Sequence, residues 1–575
     1  MRYFLKKTKI KKGVYLQIYE SHYVPSIKGN RNKCYKTIGY VAELISDKIP
    51  DPISYYQKEV DALNASLIED SSEQIGEFST SKNVGYFLLK AMIDKLNFDK
   101  DLKIFTSSCK FQFDFINFFK QMIYAQVVEP TSKLKAFEKV IPSLYDAMSI
   151  SYDQMLNGVN FIGVNYERFI ELLNIHINKI WPRKLNNAYF DCTNYYFEID
   201  EEDSIRKKGP SKEQRHDPIL GQALLLDENY IPLAMTLYAG NESEKPFLRN
   251  TIEDITNRYD INSKTKIVQV ADKGLNCARN IYAAVKEAND GYIFSKSVHG
   301  KNLSIAEKKW VLLNNDKNVW FEVKDDDNNV IYKYKSCIDT FEYHCKINDS
   351  DDKEVYFKVK EKRIVTFNPS LARKKIREIN KEVEKAKTLS LNKALKEEYG
   401  DAAKYCEFVA VNNNGEKVKL FSALKENKIK EDLALAGYNL LVTSEVDKTE
   451  QDIYNAYHNL WRIEESFRIL KSYLLARPAF LQKPESIYGH FLICYYALTI
   501  LRLLEFKIFN DSISTSQIIE FIRNYKVTEG YAGSYINNAS RTRTFDKIKK
   551  VLNLSKLGNL YLIKRDIDNL FRIDF

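Results

Sequence analysis

Tyr457-His-Asn-Leu-Trp-Arg-Ile-Glu464-Glu-Ser-Phe-Arg-Ile-Leu-Lys471 is the stretch from which the rest of the chain is best read. At 3.6 residues per turn, Ile453, Tyr457, Leu460, Glu464, Phe467, Lys471 and Leu474 recur every three or four positions and so predict one face of a single helix. Tyr457, Glu464 and Lys471 are spaced to stand nearly in line, roughly 10 Å apart. The pattern puts Glu464 on the apolar, buried side. An acid there is costly unless it is paired or binds metal. Arg468, about 40° further round the helix, is an available salt-bridge partner. Taken alone, the stretch leaves both readings open.

Working outward, two further segments carry acids in telling places. Asn187-Ala-Tyr-Phe-Asp191-Cys-Thr-Asn-Tyr-Tyr reads as an aromatic-rich strand with Asp191 at its centre. Lys266-Ile-Val-Gln-Val-Ala-Asp272 reads as a buried strand that ends in an acid. Strands are also predicted at 219–226, 231–238, 291–296 and 438–443, with helices from 245 to about 259 and from 276 to 287. The order is three strands, helix, strand, helix, strand, followed later by a strand and the helix bearing Glu464. Two Asp and one Glu on rigid elements, with no His or Cys nearby in sequence, are hard oxygen donors. Such a set favours Mg²⁺ or Mn²⁺ over zinc.

The 575 residues exceed one ordinary domain, and 44% hydrophobic with 29% charged residues describes a folded protein. No apolar run of about 18 residues is present, and the N-terminus lacks a signal-peptide core, so a cytoplasmic protein is expected. The eight cysteines form no CxxC pair, which fits a reducing compartment and argues against structural zinc. The net charge of +10 suits a polyanionic partner.

Six regions are expected. Residues 1–48 alternate as a small β region with a basic loop at Ser26–Lys33, and 49–182 are a helical accessory region that either binds DNA or only packs. Residues 183–300 form the first part of the core, and 301–435 are a charged β-rich insertion with a Lys/Glu helix, lying outside the core sheet. Residues 436–510 complete the core, and 511–575 are a helical C-terminal region.

The segments Tyr189-Phe-Asp191-Cys-Thr193, Val270-Ala-Asp272-Lys-Gly-Leu-Asn276 and Tyr457…Glu464…Lys471 resemble those of DDE-class bacterial insertion-sequence transposases, in the group with a Tyr-Arg-Glu-Lys signature. Gly209-Pro-Ser-Lys212, Gly240-Asn-Glu-Ser-Glu244, Phe467 to Pro478 and Ile487-Tyr-Gly-His490 share in the resemblance. It implies an α/β, ribonuclease H-like mixed sheet flanked by helices and interrupted by the insertion. It makes Asp191, Asp272 and Glu464 the catalytic and metal-binding triad, with Mg²⁺ as cofactor and Mn²⁺ able to substitute. Glu464 is preferred to Glu465 because the signature's spacings select it. The signature's Arg falls on Leu460. Arg468 is on the side facing the cut DNA, whereas Arg462 faces away. Tyr457, Arg468, Lys471, Lys273 and Lys296 are then the DNA contacts. The implied activity is metal-dependent cleavage at element ends and strand transfer, acting on double-stranded DNA (terminal inverted repeats and target) as a homodimer or higher assembly at the nucleoid, with no membrane. A decayed copy that only binds DNA, and a metal-dependent nuclease without joining, are the alternatives.

Overall fold

The computed structural model describes residues 2–24, 29–46, 49–73, 80–213, 216–258, 266–299, 303–312, 320–347, 354–391, 396–410, 420–477, 481–530 and 533–575. Ser26, Ile27 and Lys28 of the basic loop, Tyr259, the expected boundary at 300/301 and Pro478 lie outside the described residues. Two compact units emerge. One comprises Met1–Ala91, Lys139–Ala147 and Glu520–Phe575, and the other Met92–Glu138 and Met148–Ile519.

In the first unit, strands β1 (Arg2–Ile10), β2 (Gly13–Val24) and β3 (Gly29–Tyr40) form an antiparallel sheet. Helix Pro52–Glu73 covers one face, where Tyr3, Ile18 and Val60 pack together. A short strand β4 (Ser81–Asn83) follows the helix.

The second unit is built on a nine-stranded mixed sheet. Its strands are β5 (Ala188–Tyr196), β6 (Ile219–Leu226), β7 (Pro232–Ala239), β8 (Val268–Ala271), β9 (Gly291–Lys296), β10 (Phe321–Lys324), β11 (Val330–Lys346), β12 (Glu354–Phe367) and β15 (Tyr438–Thr443). A separate pair, β13 (Cys406–Ala410) and β14 (Leu420–Leu424), lies apart from it. The sheet order is β10-β11-β12-β15-β9-β8-β5-β6-β7, with β5–β8 and β8–β9 parallel and the other pairs antiparallel. β6 and β8 are buried at every position, as their unbroken apolar runs require. Helix Lys245–Arg258 sends Leu248, Ile252 and Ile255 into the sheet's core, a spacing that puts all three on one helical face. Helix Pro484–Leu503 is buried over nearly its whole length. Among the described residues, no helix is long and apolar enough to cross a membrane.

Three expectations are corrected here. Part of the 301–435 insertion is not outside the sheet: β10, β11 and β12 extend it beyond β15, at the edge and not between the strands of Asp191 and Asp272. β12 pairs with β15 over six residues, so the returning strand offers a free edge that the insertion completes. The C-terminal region is not purely helical. Its strands β16 (Lys526–Glu529), β17 (Ser534–Asn537) and β18 (Tyr561–Ile563) join β4 in the order β18-β17-β16-β4. The 450–473 segment is also not one helix. Glu450–His458, capped by Thr449 as expected, is broken at Asn459–Leu460; Trp461–Arg468 follows and passes into a π-helical turn, Ile469–Tyr473.

Candidate active site

Asp191 and Asp272 meet because β5 and β8 run parallel. Ala188 is opposite Gln269 and Tyr189 opposite Val270. Continued two residues further, the same register sets Asp191 beside Asp272, the residue that follows β8. Equal parity sends both side chains to the same face, on strands about 4.8 Å apart. The helix Trp461–Arg468 packs on β5 and β6, and Glu450–His458 packs on β8 and β9. The two short helices therefore lie over the two acids.

Tyr457 Oη donates to Asp272 Oδ1 at 2.9 Å, and Ser295 Oγ, from β9, donates to the same oxygen at 2.7 Å. Burial pushes the Asp272 carboxyl up, but the Ser295, Lys273 N–H and Tyr457 hydrogen bonds outweigh it and hold the group below the usual carboxylate range. Asp191 behaves oppositely. Burial pushes it up to about 6, opposed by Lys212 and the Cys192 N–H and reinforced by the charges of Glu244 and Asp272. Two acids on one sheet face thus differ in proton affinity, and they sense each other's charge.

Glu464 is exposed, not buried as the helical pattern implied. It makes no salt bridge with any described residue, and Arg468 pairs with Glu465 instead (3.4 Å). Its charge is felt by Tyr457, which burial and the nearby Asp272 hold well above the ordinary phenol range. Glu465 is the structural acid. Its Oε2 lies 3.0 Å from Nη1 of the fully buried Arg502, which also binds Glu505 (2.6 Å) and the Ser466 hydroxyl (3.0 Å). The rest of the predicted stripe holds across the break at Asn459–Leu460: Ile453, Leu460, Phe467 and Leu474 are all buried, and Glu464 is its exposed member.

Two loops close in on Asp191. A Cβ on Gly209 would lie 2.0 Å from the Gly240 carbonyl oxygen, a separation no side chain tolerates. This contact brings Gly209-Pro-Ser-Lys212 against Gly240-Asn-Glu-Ser-Glu244. Lys212 Nζ reaches Glu244 Oε1 (3.0 Å) and donates to the Cys192 carbonyl. Burial lowers the Lys212 pKa, but Asp191 and Glu244 outweigh it and raise it overall. Glu213 joins Lys471 (3.4 Å) to Arg477 (2.5 Å), with the Lys471 ammonium 5.2 Å from the Tyr195 ring centre. Lys212, Glu213, Glu244, Ser295 and Arg477 were not assigned from sequence. Lys212 and Glu244 stand in glycine-led runs that could have flagged them, whereas Ser295 carried no signal.

The basic residues assigned to DNA divide into separate places. Lys273 and Lys296 line a cleft of about 660 Å³ with Lys374, Lys375, Lys404 and Lys428. Lys296 is held there by Glu307 at 2.8 Å. Lys471 lies apart, next to Glu213, and Arg468 is largely exposed. Arg462 binds Asp511 (2.6 Å) and lies over Trp461 and Phe506.

The donors at this face are all oxygens, and an acid pushed up to about 6 beside other acids is one that a divalent cation would neutralise. As the side chains stand, no group of three or more His, Cys, Asp or Glu among the described residues could hold a metal ion. Asp191 and Asp272 share a sheet face by register, and Glu464 stands on the helix packed against the first of their strands.

No protein-family model matches the chain, and no curated protein matches it. Among solved structures, the chain is similar to a piggyBac transposase synaptic complex with hairpin DNA, determined by cryo-electron microscopy. The identity is 8% and the TM-score 0.35, over 86% of this chain and 84% of that one.

Proposed function

We propose that the chain is a DDE-class transposase with a ribonuclease H-like core, cutting DNA at the ends of its element and joining the exposed 3′-OH to target DNA. The observation that carries this reading is the shared register of Asp191 and Asp272 on neighbouring parallel strands, with the helix of Glu464 packed on the first of them. Asp191, Asp272 and Glu464 would hold Mg²⁺ or Mn²⁺. Such ions activate a water or sugar hydroxyl and stabilise the leaving oxygen of an in-line phosphoryl transfer. The chain's own residues do the positioning. Tyr457 and Ser295 both donate to Oδ1 of Asp272 and, with the Lys273 N–H, keep the group ionised. Lys212 offsets the charge gathered at Asp191 and Glu244. Lys471, Lys273 and Lys296 supply cations for backbone phosphates, with Arg468 at the exposed margin. Joining two ends calls for a homodimer or larger assembly on terminal inverted repeats.

The test is nicking and strand transfer on DNA carrying the element's ends, in Mg²⁺, by the wild type and by Asp191→Asn. The wild type should give nicked and joined products, and the variant should bind the DNA and give neither. Nicking without joined products would make the protein a nuclease, and binding without nicking a decayed copy.

A further inference from the structure

The first forty residues hold ten Lys and Arg against one acid, Glu20, and so contribute +9 to a chain whose total is +10. The other 535 residues are nearly neutral. Nine of the ten cations lie among the described residues, on β1, on β3 and in the turn between β1 and β2, and helix Pro52–Glu73 covers only one face of that sheet. Lys36 belongs to that covered side, where it pairs with Glu59 on the helix (2.6 Å).

The other face can be read off the strand register. Cross-strand rows run Arg2–Ser21–Asn32, Phe4–Tyr19–Cys34, Lys6–Gln17–Thr37 and Thr8–Tyr15–Tyr40. Every one of these residues is exposed or half-exposed. Contacts on this face confirm the assignment of sides: Phe4 meets Tyr19 at 5.9 Å and Tyr15 meets Tyr40 at 4.8 Å along their rows, and Gln17 Nε2 reaches Cys34 Sγ in the neighbouring row at 3.7 Å. Seven of the twelve, Arg2, Ser21, Asn32, Lys6, Gln17, Thr37 and Thr8, are hydrogen-bonding side chains, set among Phe4, Tyr15, Tyr19, Tyr40 and Cys34. These are the side chains that read base edges and thymine methyls. Lys11 and Lys12 occupy the β1–β2 turn at one end. Arg31 and Lys33, on the outer strand, pair with His22 and Glu20 and belong by the same alternation to the other side.

We propose that this open sheet face is a reading surface for duplex DNA, lying in the major groove with the flanking lysines on the phosphates. The proposal rests on the transposase reading for its biological sense, but it is carried by its own geometry. Three strands span roughly 10 Å between the outer backbones, against a groove about 12 Å wide. Single strands are disfavoured as the ligand, because they bind by stacking bases on free aromatic faces. Here the rings pack edge-on or tilted against one another, and the Lys6 ammonium covers the Tyr19 ring at 4.3 Å.

The experiment uses the full chain and mixed-sequence DNA. Lys6→Ala and Arg2→Ala should each weaken duplex binding and lower the slope of log affinity against log salt by about one unit. Lys36→Ala, on the covered face, should change the slope much less. Gln17→Ala should keep the slope and change the sequence preference selected from a random duplex pool. At saturating DNA the Lys6→Ala protein should recover metal-dependent cleavage, whereas Asp191→Asn should bind with an unchanged slope and not cut. Equal effects of Lys6→Ala and Lys36→Ala, tighter binding of single strands than of duplex, or equal binding to anionic lipid vesicles would each overturn the proposal. If the face variants bind like wild type while Asp191→Asn still abolishes cutting, the surface assignment falls and the transposase reading stands. A wild-type chain that binds no duplex overturns both.

Discussion

Tyr457 and Asp272 are 185 positions apart in the chain, yet the phenol hydroxyl donates to Asp272 Oδ1 at 2.9 Å. The bond links the helix that precedes Glu464 to the strand end that carries the second acid. It also selects which oxygen of Asp272 remains for other partners, since Ser295 donates to the same Oδ1.

Tyr457→Phe removes this donor and keeps the ring. Hydrogen bonds to charged groups contribute about 1.5–3 kcal/mol, so cleavage should fall roughly 10- to 100-fold. Asp272 is held below its ordinary value partly by this bond, so the acid limb of the pH–rate profile should move upward in the variant. An unchanged profile with an unchanged rate would remove Tyr457 from the site.

Asp191 gives a stability signature in metal-free protein. Its folded-state pKa lies above the unfolded one, so the native state holds the proton longer. The stability this adds is present at low pH and is lost as the pH rises from 3.8 through about 6. Thermal denaturation across that window should show a fall that Asp191→Asn abolishes, and added Mg²⁺ should restore stability at neutral pH. The same substitution should cut cleavage at least about 10³-fold, roughly 4 kcal/mol of barrier.

The adjacent glutamates should separate cleanly. Glu464→Gln should abolish cleavage with almost no change in the denaturation midpoint, because the side chain is exposed and makes no salt bridge with a described residue. Glu465→Gln takes a partner from the fully buried Arg502, leaving it Glu505. It should cost about 2 kcal/mol of stability while retaining activity at low temperature. The reverse pattern in paired denaturation and cleavage assays would exchange the two roles.

Metal choice follows from the donor atoms. Cleavage should require Mg²⁺ or Mn²⁺, and Zn²⁺ should not replace them, because the candidate ligands are all carboxylates. Cleavage that continues in excess chelator would exclude this site as a metal-dependent one.

The two arginines near the acids call for one direct comparison. Arg468 is largely exposed, while Arg462 is bound to Asp511 and stacked among Trp461 and Phe506. Arg468→Ala should weaken binding of all DNA sequences alike and reduce the salt slope, whereas Arg462→Ala should lower stability and leave the slope unchanged. Filter-binding titrations over a salt series, beside denaturation curves, distinguish them.

The amino-acid sequence by itself determined the elements whose signals are local. β9 and β15 fall at Gly291–Lys296 and Tyr438–Thr443 as their apolar runs predict, and the Thr449 side chain accepts from the Asp452 N–H as a helix cap should. It also set Asp191 within a strand and Asp272 at the end of one, because alternation and strand propensity are written in neighbouring residues. What tertiary structure alone decided lies in the segment from Tyr457 to Lys471. A regular period of 3.6 puts Glu464 on the buried face, and its neighbours on that stripe, Leu460 and Phe467, are buried, yet Glu464 itself is exposed. The half-buried, paired acid is Glu465, held by an arginine 37 residues further along the chain. Likewise the insertion's strands join the sheet because β15 leaves an edge whose N–H and C=O groups need partners. Periodicity records which residues a regular helix would bury. It holds no information about distant charges or unpaired edges, and at this site a distant charge determined which acid is paired and which one faces outward.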